Sequence, residues 1–502
     1  MGNCESIDLA PNRICNVGHC VETAESLRAN SASPTDVYFI NLKPGTRYGG
    51  ELIPQECVLK IFIDPSLDPT TLPHIVNDVS GNLKNFHGSQ EMLYESRIYE
   101  HVVGPIMQFK FNPHFVKYYG RARNCNVKEI GDIFLDKPPY NLKEKNLEKK
   151  LVRNTWYMGL GLKNRPALQD DIPSSPLSED NYNWLYNNMN YIPFSMICTQ
   201  KALNGTSLHD WLGKNHIIGQ PLQLETWILL IQLVSGLVTL MPFHCAHNDL
   251  HFGNIMVVNT NTNLFRKYIY QDVIDGTEYI YRLTTNLEIQ HYDWDRSYME
   301  KLGNNPVNEG GYLCEYYGSC NRYVPQSDLL KVFAILYRIT DNSTKSDLLN
   351  ILTGREDAKE FFLTRLINGG YDISFLQVPA SAGAELPYRS MTPNELRLFR
   401  TPSRVLTYLV RRVKELFPSA TQIGTLRQFN NEQPTDDGFE YFNFGYTHII
   451  NTLGRNCNDC TTNADCADNV NCIEGKCKEG YTTRGGREAI KGKLPFRHGM
   501  DK

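Results

Sequence analysis

The chain has 502 residues, of which 41% are apolar, and its formal net charge at pH 7 is only -4. A chain of this length and apolar content can bury a sizeable core and ordinarily divides into two or more lobes. The near balance of charge argues against a nucleic-acid-binding protein driven by bulk electrostatics, because such a protein needs a basic domain that displaces many counterions.

The N-terminal residues carry a candidate lipidation signal. The first six residues, MGNCES, match the N-myristoylation pattern of glycine at position 2 and serine or threonine at position 6. We expect either a lipid on Gly2 or a chance match, and a single acyl chain would attach the protein to a membrane only marginally. The first thirty residues contain no apolar segment typical of a secretory signal, so we expect a cytoplasmic protein. Residues 1–25 are interpreted as a flexible arm.

Two runs of alternating and β-branched residues predict an antiparallel sheet after this arm. They are DVYFINL at 36–42 and ECVLKIFI at 56–63, with the turn-rich KPGTRYGG between them. Apolar residues at helical spacing then predict a helix from Gln90 to Val103. The polar stretch from about 125 to 190 is interpreted as an insertion whose charged residues form a solvated helix face.

The second half of the chain is richer in predicted helix. The apolar run Trp227–Met241 would span only about 22 Å as a helix, less than the roughly 30 Å of a bilayer core, so we predict a helix buried inside the protein. Asp275 and Gly276 lie between alternating aromatic and aliphatic residues, which predicts a β-hairpin. A sheet-rich first part followed by a helix-rich second part predicts an α+β protein with two lobes, at 26–200 and 201–450.

The segment HNDLHFGNIMVV, at 247–258, carries the clearest chemical signal. It follows the apolar helix and runs into a predicted strand, so a short loop would aim the side chains of Asp249 and Asn254 into one cleft. The segment resembles the catalytic loop of protein kinases, H-x-D-L-x-x-x-N. The resemblance implies that Asp249 takes the proton of the attacking hydroxyl and that Asn254 binds Mg²⁺.

Three further residues extend the resemblance to protein kinases. Lys60 interrupts an apolar strand, like the strand lysine that binds the phosphates of ATP, although an exposed face of an edge strand is the alternative. Glu95, with Glu91 and Glu100 as competitors, is placed on the following helix as the partner of that lysine. Asp293, in the sequence HYDWD, resembles the magnesium-binding aspartate of the D-F-G segment.

Two structural segments complete the resemblance. The stretch 196–208 resembles the hinge that joins the two lobes and receives adenine, which implies that Thr199 and Gln200 contact ATP. Asp328 lies in a segment similar to the helix whose aspartate holds the catalytic loop. Over residues 26–420 the chain thus resembles Ser/Thr protein kinases of large cytoplasmic DNA viruses of the iridovirus type. The resemblance implies ATP and Mg²⁺ as cofactors, a protein hydroxyl as acceptor, and a location in the host cytoplasm, at a membrane or in the virion.

The chain departs from the kinase pattern at several positions. No G-x-G-x-x-G motif precedes Lys60, and residues 30–38 stand in its place without a glycine. His251 occupies the position of the lysine that steadies the transferred phosphate in Ser/Thr kinases, so that charge must come from another residue. Asn248 replaces the arginine that reads a phosphorylated activation loop, and we therefore expect control by another route.

Two other functions stay open on the sequence. The string H-x-D-L-H-x-G-N followed by a D-W segment is equally similar to choline and aminoglycoside kinases, which use ATP and Mg²⁺ to phosphorylate a metabolite. A catalytically weak kinase-like scaffold at a membrane or in a particle is the other alternative. The missing glycine motif favours the scaffold, whereas the four polar residues Lys60, Asp249, Asn254 and Asp293 argue against it.

A small cysteine-rich module is predicted at 455–480, followed by a basic tail at 481–502. The five cysteines of the module are Cys457, Cys460, Cys466, Cys472 and Cys477. Such density indicates either disulfides or a zinc site. The C-x2-C spacing of the first pair suits Zn²⁺, whereas the wider spacing of the others favours disulfides, which we prefer. The tail is interpreted as solvated, with contact to anionic lipid as the alternative.

Overall fold

The structure of the protein is a computed structural model that describes residues 21–26, 36–45, 47–48, 51–52, 56–63, 94–125, 194–202, 204–305, 308, 320–367, 392–430, 437–453, 470–473 and 476–479. Several predicted features lie outside the described residues. They are the lipidation signal at Gly2, nearly all of the insertion at 125–190, three of the module cysteines (Cys457, Cys460 and Cys466) and the basic tail.

The first part of the chain forms an antiparallel sheet. The first seven strands are β1 (Val21–Ser26), β2 (Asp36–Leu42), β3 (Arg47–Tyr48), β4 (Glu51–Leu52), β5 (Glu56–Ile63), β6 (Tyr118–Cys125) and β7 (Phe194–Gln200). Five of them lie side by side in the order β1-β2-β5-β7-β6, each antiparallel to its neighbour, and β3 pairs with β4. The predicted strands at 36–42 and 56–63 are thereby confirmed. Alternation buries Tyr38 and Leu59 and leaves Lys60 on the opposite face of β5.

Strand β1 shortens the predicted N-terminal arm. It pairs with β2 from Val21 opposite Leu42 to Ser26 opposite Tyr38, so residues 21–25, which were predicted to belong to a flexible arm, lie in a strand. The sequence VETAES has only two apolar residues, and the strand lies at the edge of the sheet. Its backbone hydrogen bonds, which no side-chain pattern reveals, make it a strand.

Helix α1 covers residues 94–108 and extends beyond the predicted end at 103. It contains a π-helical turn at Tyr99–Val103, in which Gly104 donates its N–H to the Tyr99 carbonyl. Because Pro105 has no N–H to donate, a regular α-helix would lack a hydrogen bond here, and the wider turn accommodates that gap. The helix therefore continues through Pro105 and past the predicted end at Val103.

The remaining helices belong to the second part of the chain. They are α2 (Leu208–Asn215), α3 (Leu224–Leu240), α4 (Ser327–Ile339), α5 (Asn342–Leu352), α6 (Glu356–Phe361), α7 (Pro393–Leu396), α8 (Pro402–Leu416) and α9 (Tyr446–Leu453), with a π-helix at Phe362–Ile367 and short 3-10 turns at Met241–Phe243, Phe252–Asn254 and Glu300–Leu302. Helix α3 is buried from Thr226 to Leu240, which confirms the prediction of an internal helix. Within the described ranges, Leu224–Phe243 is the one helical stretch long and apolar enough to cross a membrane, and it is wholly buried in the protein.

A second sheet lies against α3. The remaining strands are β8 (Gly205–Ser207), β9 (Cys245–Ala246), β10 (Ile255–Gln271), β11 (Glu278–His291), β12 (Tyr298–Met299), β13 (Arg427–Gln428), β14 (Glu440–Asn443), β15 (Val470–Ile473) and β16 (Lys476–Glu479). Four of them form the order β13-β11-β10-β14, β8 also pairs with β10, and β9 pairs with β12. Gln232 ties α3 to this sheet, because its side-chain amide donates to the Leu287 carbonyl and accepts from the Ile289 N–H, both at 2.9 Å.

Strands β10 and β11 form the predicted hairpin, which is thereby confirmed. The turn at its closed end includes Gly276 at a φ of 74°, a conformation that suits glycine. At its open end Ile255 lies opposite His291. This register places Asn254, just before β10, beside Tyr292 and Asp293, just after β11.

The cysteine-rich module is described only in part. Strands β15 and β16 are antiparallel, and Cys472 lies opposite Cys477 in their backbone register. The choice between disulfides and zinc in this module stays a prediction.

Candidate functional site

Lys60 connects three elements that are distant in sequence. Its Nζ donates to Glu95 Oε1 on α1 at 2.7 Å and to Asp293 Oδ1 beyond β11 at 2.9 Å. Its side chain is 15% exposed, Glu95 is fully buried and Asp293 is 29% exposed. Burial opposes the charge on Lys60, but Asp293 and Glu95 outweigh it and raise the pKa of the lysine well above its usual value. The ammonium therefore stays charged at neutral pH.

The structure also distinguishes among the competing glutamates. Glu100 pairs with Arg121 at 2.8 Å and not with Lys60, and Glu91 lies outside the described residues. Buried Tyr94, just before Glu95, anchors this end of α1: its hydroxyl accepts from the Met299 N–H and donates to the Gly303 carbonyl, both at 2.9 Å. The helix thus has a fixed orientation that directs Glu95 toward the sheet.

The loop after α3 is held by the first turn of α4. Asp328 is buried and accepts two backbone hydrogen bonds, from His247 N at 2.8 Å and from Asn248 N at 2.9 Å. Lys331, one turn later on α4, donates to the Asn248 carbonyl. Asn248 has a φ of 63°, a left-handed conformation that these contacts maintain just before Asp249.

Asp249 and Asn254 interact directly. The Asn254 side-chain N–H₂ group donates to the Asp249 carbonyl at 3.0 Å and to Asp249 Oδ2 at 3.3 Å. An amide that donates through its nitrogen presents its oxygen to other partners, and an amide oxygen is a ligand that Mg²⁺ accepts. The loop therefore orients Asn254 so that its oxygen can serve a metal while its nitrogen steadies Asp249.

His251 is fixed beside the Asp249 carboxylate. Its Nδ1 accepts from the Gly253 N–H at 3.0 Å, and its Nε2 lies 3.9 Å from Asp249 Oδ2. Burial lowers the pKa of His251, although Asp249 acts in the opposite direction, so the ring is neutral at pH 7. A Cβ atom at position 253 would lie 2.7 Å from the His251 ring, so a larger residue there would displace the ring from its present position.

The segment after β11 brings Asp293 to the same place. His247 Nε2 donates to the Tyr292 carbonyl at 3.0 Å, which links the loop at 247–254 directly to the residue before Asp293. Asp293 has a φ of 67°, uncommon for an aspartate. The next residue, Trp294, is fully buried and packs 4.6 Å from the His247 ring and 6.0 Å from Phe115. These contacts fix the turn that aims Asp293 at Lys60.

Sequence reasoning missed one charged residue of the site, Arg296. Its Nη1 lies 3.3 Å from Asp249 Oδ1, on the side of the carboxylate away from Asn254 and His251. No spacing in the sequence marks this residue, because Arg296 returns to Asp249 only through the fold of the turn after Asp293.

The predicted adenine-contacting residues lie at the end of β7. Thr199 is buried opposite Val58 of β5, and Gln200 is partly buried. The Gln200 N–H donates to the Lys117 carbonyl at 2.8 Å, so that N–H is already satisfied and a nucleobase would need another partner here. Neither residue is hydrogen-bonded to Lys60, whose partners among the described residues are Glu95 and Asp293.

The residues of the site suit ATP and Mg²⁺ in kind. Lys60 is a charged hydrogen-bond donor for phosphate. The Asp293 carboxylate and the Asn254 amide oxygen are ligands typical of magnesium, which keeps water and phosphate as its other ligands. No group of three or more His, Cys, Asp or Glu side chains that could hold a metal by themselves occurs in the described ranges. That finding is compatible with a metal shared between protein and phosphates.

Comparisons with known proteins give a structural likeness only. No protein-family model and no curated protein sequence matches the chain. Among solved structures 65 chains match, and one of them is the crystal structure of a kinase domain. That likeness covers 78% of this chain and 95% of the kinase domain, with 9% sequence identity and a TM-score of 0.32. What this chain does must be inferred from the geometry of its own residues.

Proposed function

We propose that the protein is an ATP- and Mg²⁺-dependent phosphotransferase with a two-lobed, protein-kinase-like fold, and that its acceptor is a serine or threonine hydroxyl of a protein. One observation carries the proposal: Lys60 on β5 contacts both Glu95 on α1 and Asp293 after β11, within 2.9 Å. Three charged side chains that converge from distant elements are costly to desolvate. Phosphates are the ligands that a lysine in such an arrangement binds in phosphotransferases, which gives the arrangement a purpose.

Each residue has a distinct role in the proposed reaction. Lys60 binds the ATP phosphates, and Glu95 fixes the position of the ammonium. Asp293 and the Asn254 amide oxygen would hold Mg²⁺, which when bound neutralises negative charge on the phosphates. Asp249 accepts a hydrogen bond from the acceptor hydroxyl and takes its proton while the new O–P bond forms and the bond from phosphorus to ADP breaks. Catalysis by these residues is mostly positioning and charge neutralisation.

A small-molecule kinase is the second candidate. The loop string H-x-D-L-H-x-G-N is equally similar to choline and aminoglycoside kinases. Two of its residues, His251 and Gly253, constrain each other, since the ring accepts from the Gly253 N–H and would be displaced by a Cβ at position 253. His251 and Gly253 therefore set the local conformation of this loop at the position where Ser/Thr protein kinases carry a lysine.

The test is transfer of labelled γ-phosphate from Mg-ATP by the purified full chain. The acceptors are a mixture of denatured proteins and, separately, a panel of amino-alcohol metabolites. Asp249→Ala is the inactivating variant, and Asp357→Ala, which removes a surface aspartate paired with Arg355, is the matched control. Label on protein serine or threonine that disappears only with Asp249→Ala supports the proposal. Label on a metabolite moves the assignment to the second candidate, and no transfer to either refutes both and leaves a scaffold.

A further inference from the structure

We infer that Arg296 is a catalytic residue of the proposed phosphotransferase, and that its guanidinium meets the transferred phosphate in place of the lysine that is absent at position 251. This inference rests on the proposed function. The observation behind it is the contact between Arg296 Nη1 and Asp249 Oδ1, at 3.3 Å.

The guanidinium is a direct and partly exposed neighbour of the Asp249 carboxylate. Asp249 accepts from Asn254 through Oδ2, at 3.3 Å, and from Arg296 through Oδ1. The Arg296 side chain is 29% exposed, compared with 13% for Asp249, so the guanidinium is accessible to a ligand that approaches the carboxylate from solvent. A guanidinium has five N–H donors in a planar fork, and one of them on Asp249 is compatible with others on phosphate oxygens.

The backbone of Arg296 is held by two buried amide side chains. The Arg296 carbonyl accepts from Asn248 Nδ2 at 3.2 Å and from Asn308 Nδ2 at 2.8 Å. Asn248 also donates to the carbonyl of Cys320, at 3.0 Å. The residue that replaces the phosphate-reading arginine of kinases thus fastens the Arg296 segment to the loop that carries Asp249. This arrangement gives the substitution at 248 a physical purpose.

Two other cationic side chains near the loop suit the role less well. Lys331 is buried, donates to the Asn248 carbonyl, and has a pKa lowered by burial. It therefore serves the loop backbone and does not face a ligand. His251 is neutral at pH 7, because burial lowers its pKa, and its Nδ1 is already an acceptor for Gly253. A neutral imidazole offers one hydrogen bond but no full positive charge.

The experiment compares Arg296→Met, Arg296→Lys and Arg296→Ala with the wild-type chain, in the phosphate-transfer assay described above. Arg355→Met is the matched control, because Arg355 forms an ion pair with Asp357 on the surface. We expect Arg296→Met to lower kcat by about 100-fold or more, with the KM for ATP within about threefold of wild type. The kcat of Arg296→Lys should be at least about tenfold higher than that of Arg296→Met. Added guanidinium ion should partly restore the activity of Arg296→Ala.

Each outcome decides the inference. If Arg296→Met keeps a kcat within about threefold of Arg355→Met, Arg296 does not stabilise the reaction. A loss of activity that neither lysine nor guanidinium recovers would mark a purely structural role and would also overturn the inference. A wild-type chain that transfers no phosphate overturns the proposed function and this inference with it. Active wild type with unaffected Arg296 variants overturns the inference alone.

Discussion

Removal of the Asp328 carboxylate should loosen the loop that carries Asp249. The two hydrogen bonds from Asp328 to His247 N and Asn248 N are charge-assisted and buried, and such bonds contribute about 1.5–3 kcal/mol each. Asp328→Ala would lose both bonds and leave two buried N–H groups without a partner. This should lower the free energy of unfolding by about 3–6 kcal/mol. Asp328→Asn keeps one acceptor oxygen. We therefore expect this variant to fold, with a free energy of unfolding about 2–3 kcal/mol below that of the wild type.

The assay is urea unfolding followed by circular dichroism, with the phosphate-transfer rate measured on the same preparations. Asp341→Asn is the matched control: Asp341 also accepts two backbone N–H groups, from Thr344 and Ser343, but at the exposed start of α5. Asparagine caps a helix about as well as aspartate, so this control should be nearly neutral in both assays. If the free energies of unfolding of Asp328→Asn and Asp341→Asn differ by less than about 0.5 kcal/mol, the two hydrogen bonds do not hold the loop and the reasoning fails.

Two further predictions concern stability. Burial, followed by the nearby charge of Arg266, holds the pKa of His114 well below its usual value, and the ring donates to the Ile289 carbonyl and accepts from Tyr268. Because the folded-state pKa is the lower one, the stability from His114 is present above about pH 6.5 and is lost as the pH falls. Urea unfolding should therefore show that His114→Gln loses up to about 2 kcal/mol less stability than the wild type between pH 7 and 5. Gly236→Ala should destabilise by about 1–3 kcal/mol and slow phosphate transfer, because its Cβ would lie 2.3 Å from His291 Nε2, two residues before Asp293. Gly213→Ala, on α2, where an added Cβ would have nothing within 4 Å, should instead be neutral or slightly stabilising in the same urea-unfolding assay.

Local patterns account for the elements that the sequence predicted. Residues 38–42 of β2 and 56–60 of β5 alternate between buried and partly buried positions. Helix α3 is mostly apolar and is buried on all sides, and the β10–β11 hairpin has aromatic residues at facing positions. In each case the side chains within one element hold the information. The spacing of Asp249 and Asn254 is also local, since five residues of one loop bring them into contact.

What the sequence did not predict depends on contacts between distant segments. Strand β14 pairs in parallel with β10 across more than 150 residues, and β1 is a strand because of β2, not because of its own pattern. The choice of Glu95 over Glu100 depends on how α1 is rotated around its π turn, which follows from packing. Arg296 reaches Asp249 only because the turn after Asp293 folds back over the loop, and no spacing rule encodes that return.

The ion pairs of Lys60 offer the most direct test of the proposed function. The measurement is the initial rate of γ-phosphate transfer from Mg-ATP by the wild-type chain, by Lys60→Met and by Lys359→Met, a control that removes a surface lysine paired with Glu356 at 2.7 Å. We predict transfer by the wild type, a fall of about 100-fold or more for Lys60→Met, and an unchanged rate for Lys359→Met. No transfer by the wild type, or equal rates for the two lysine variants, would contradict the assignment of this site as a phosphotransferase centre.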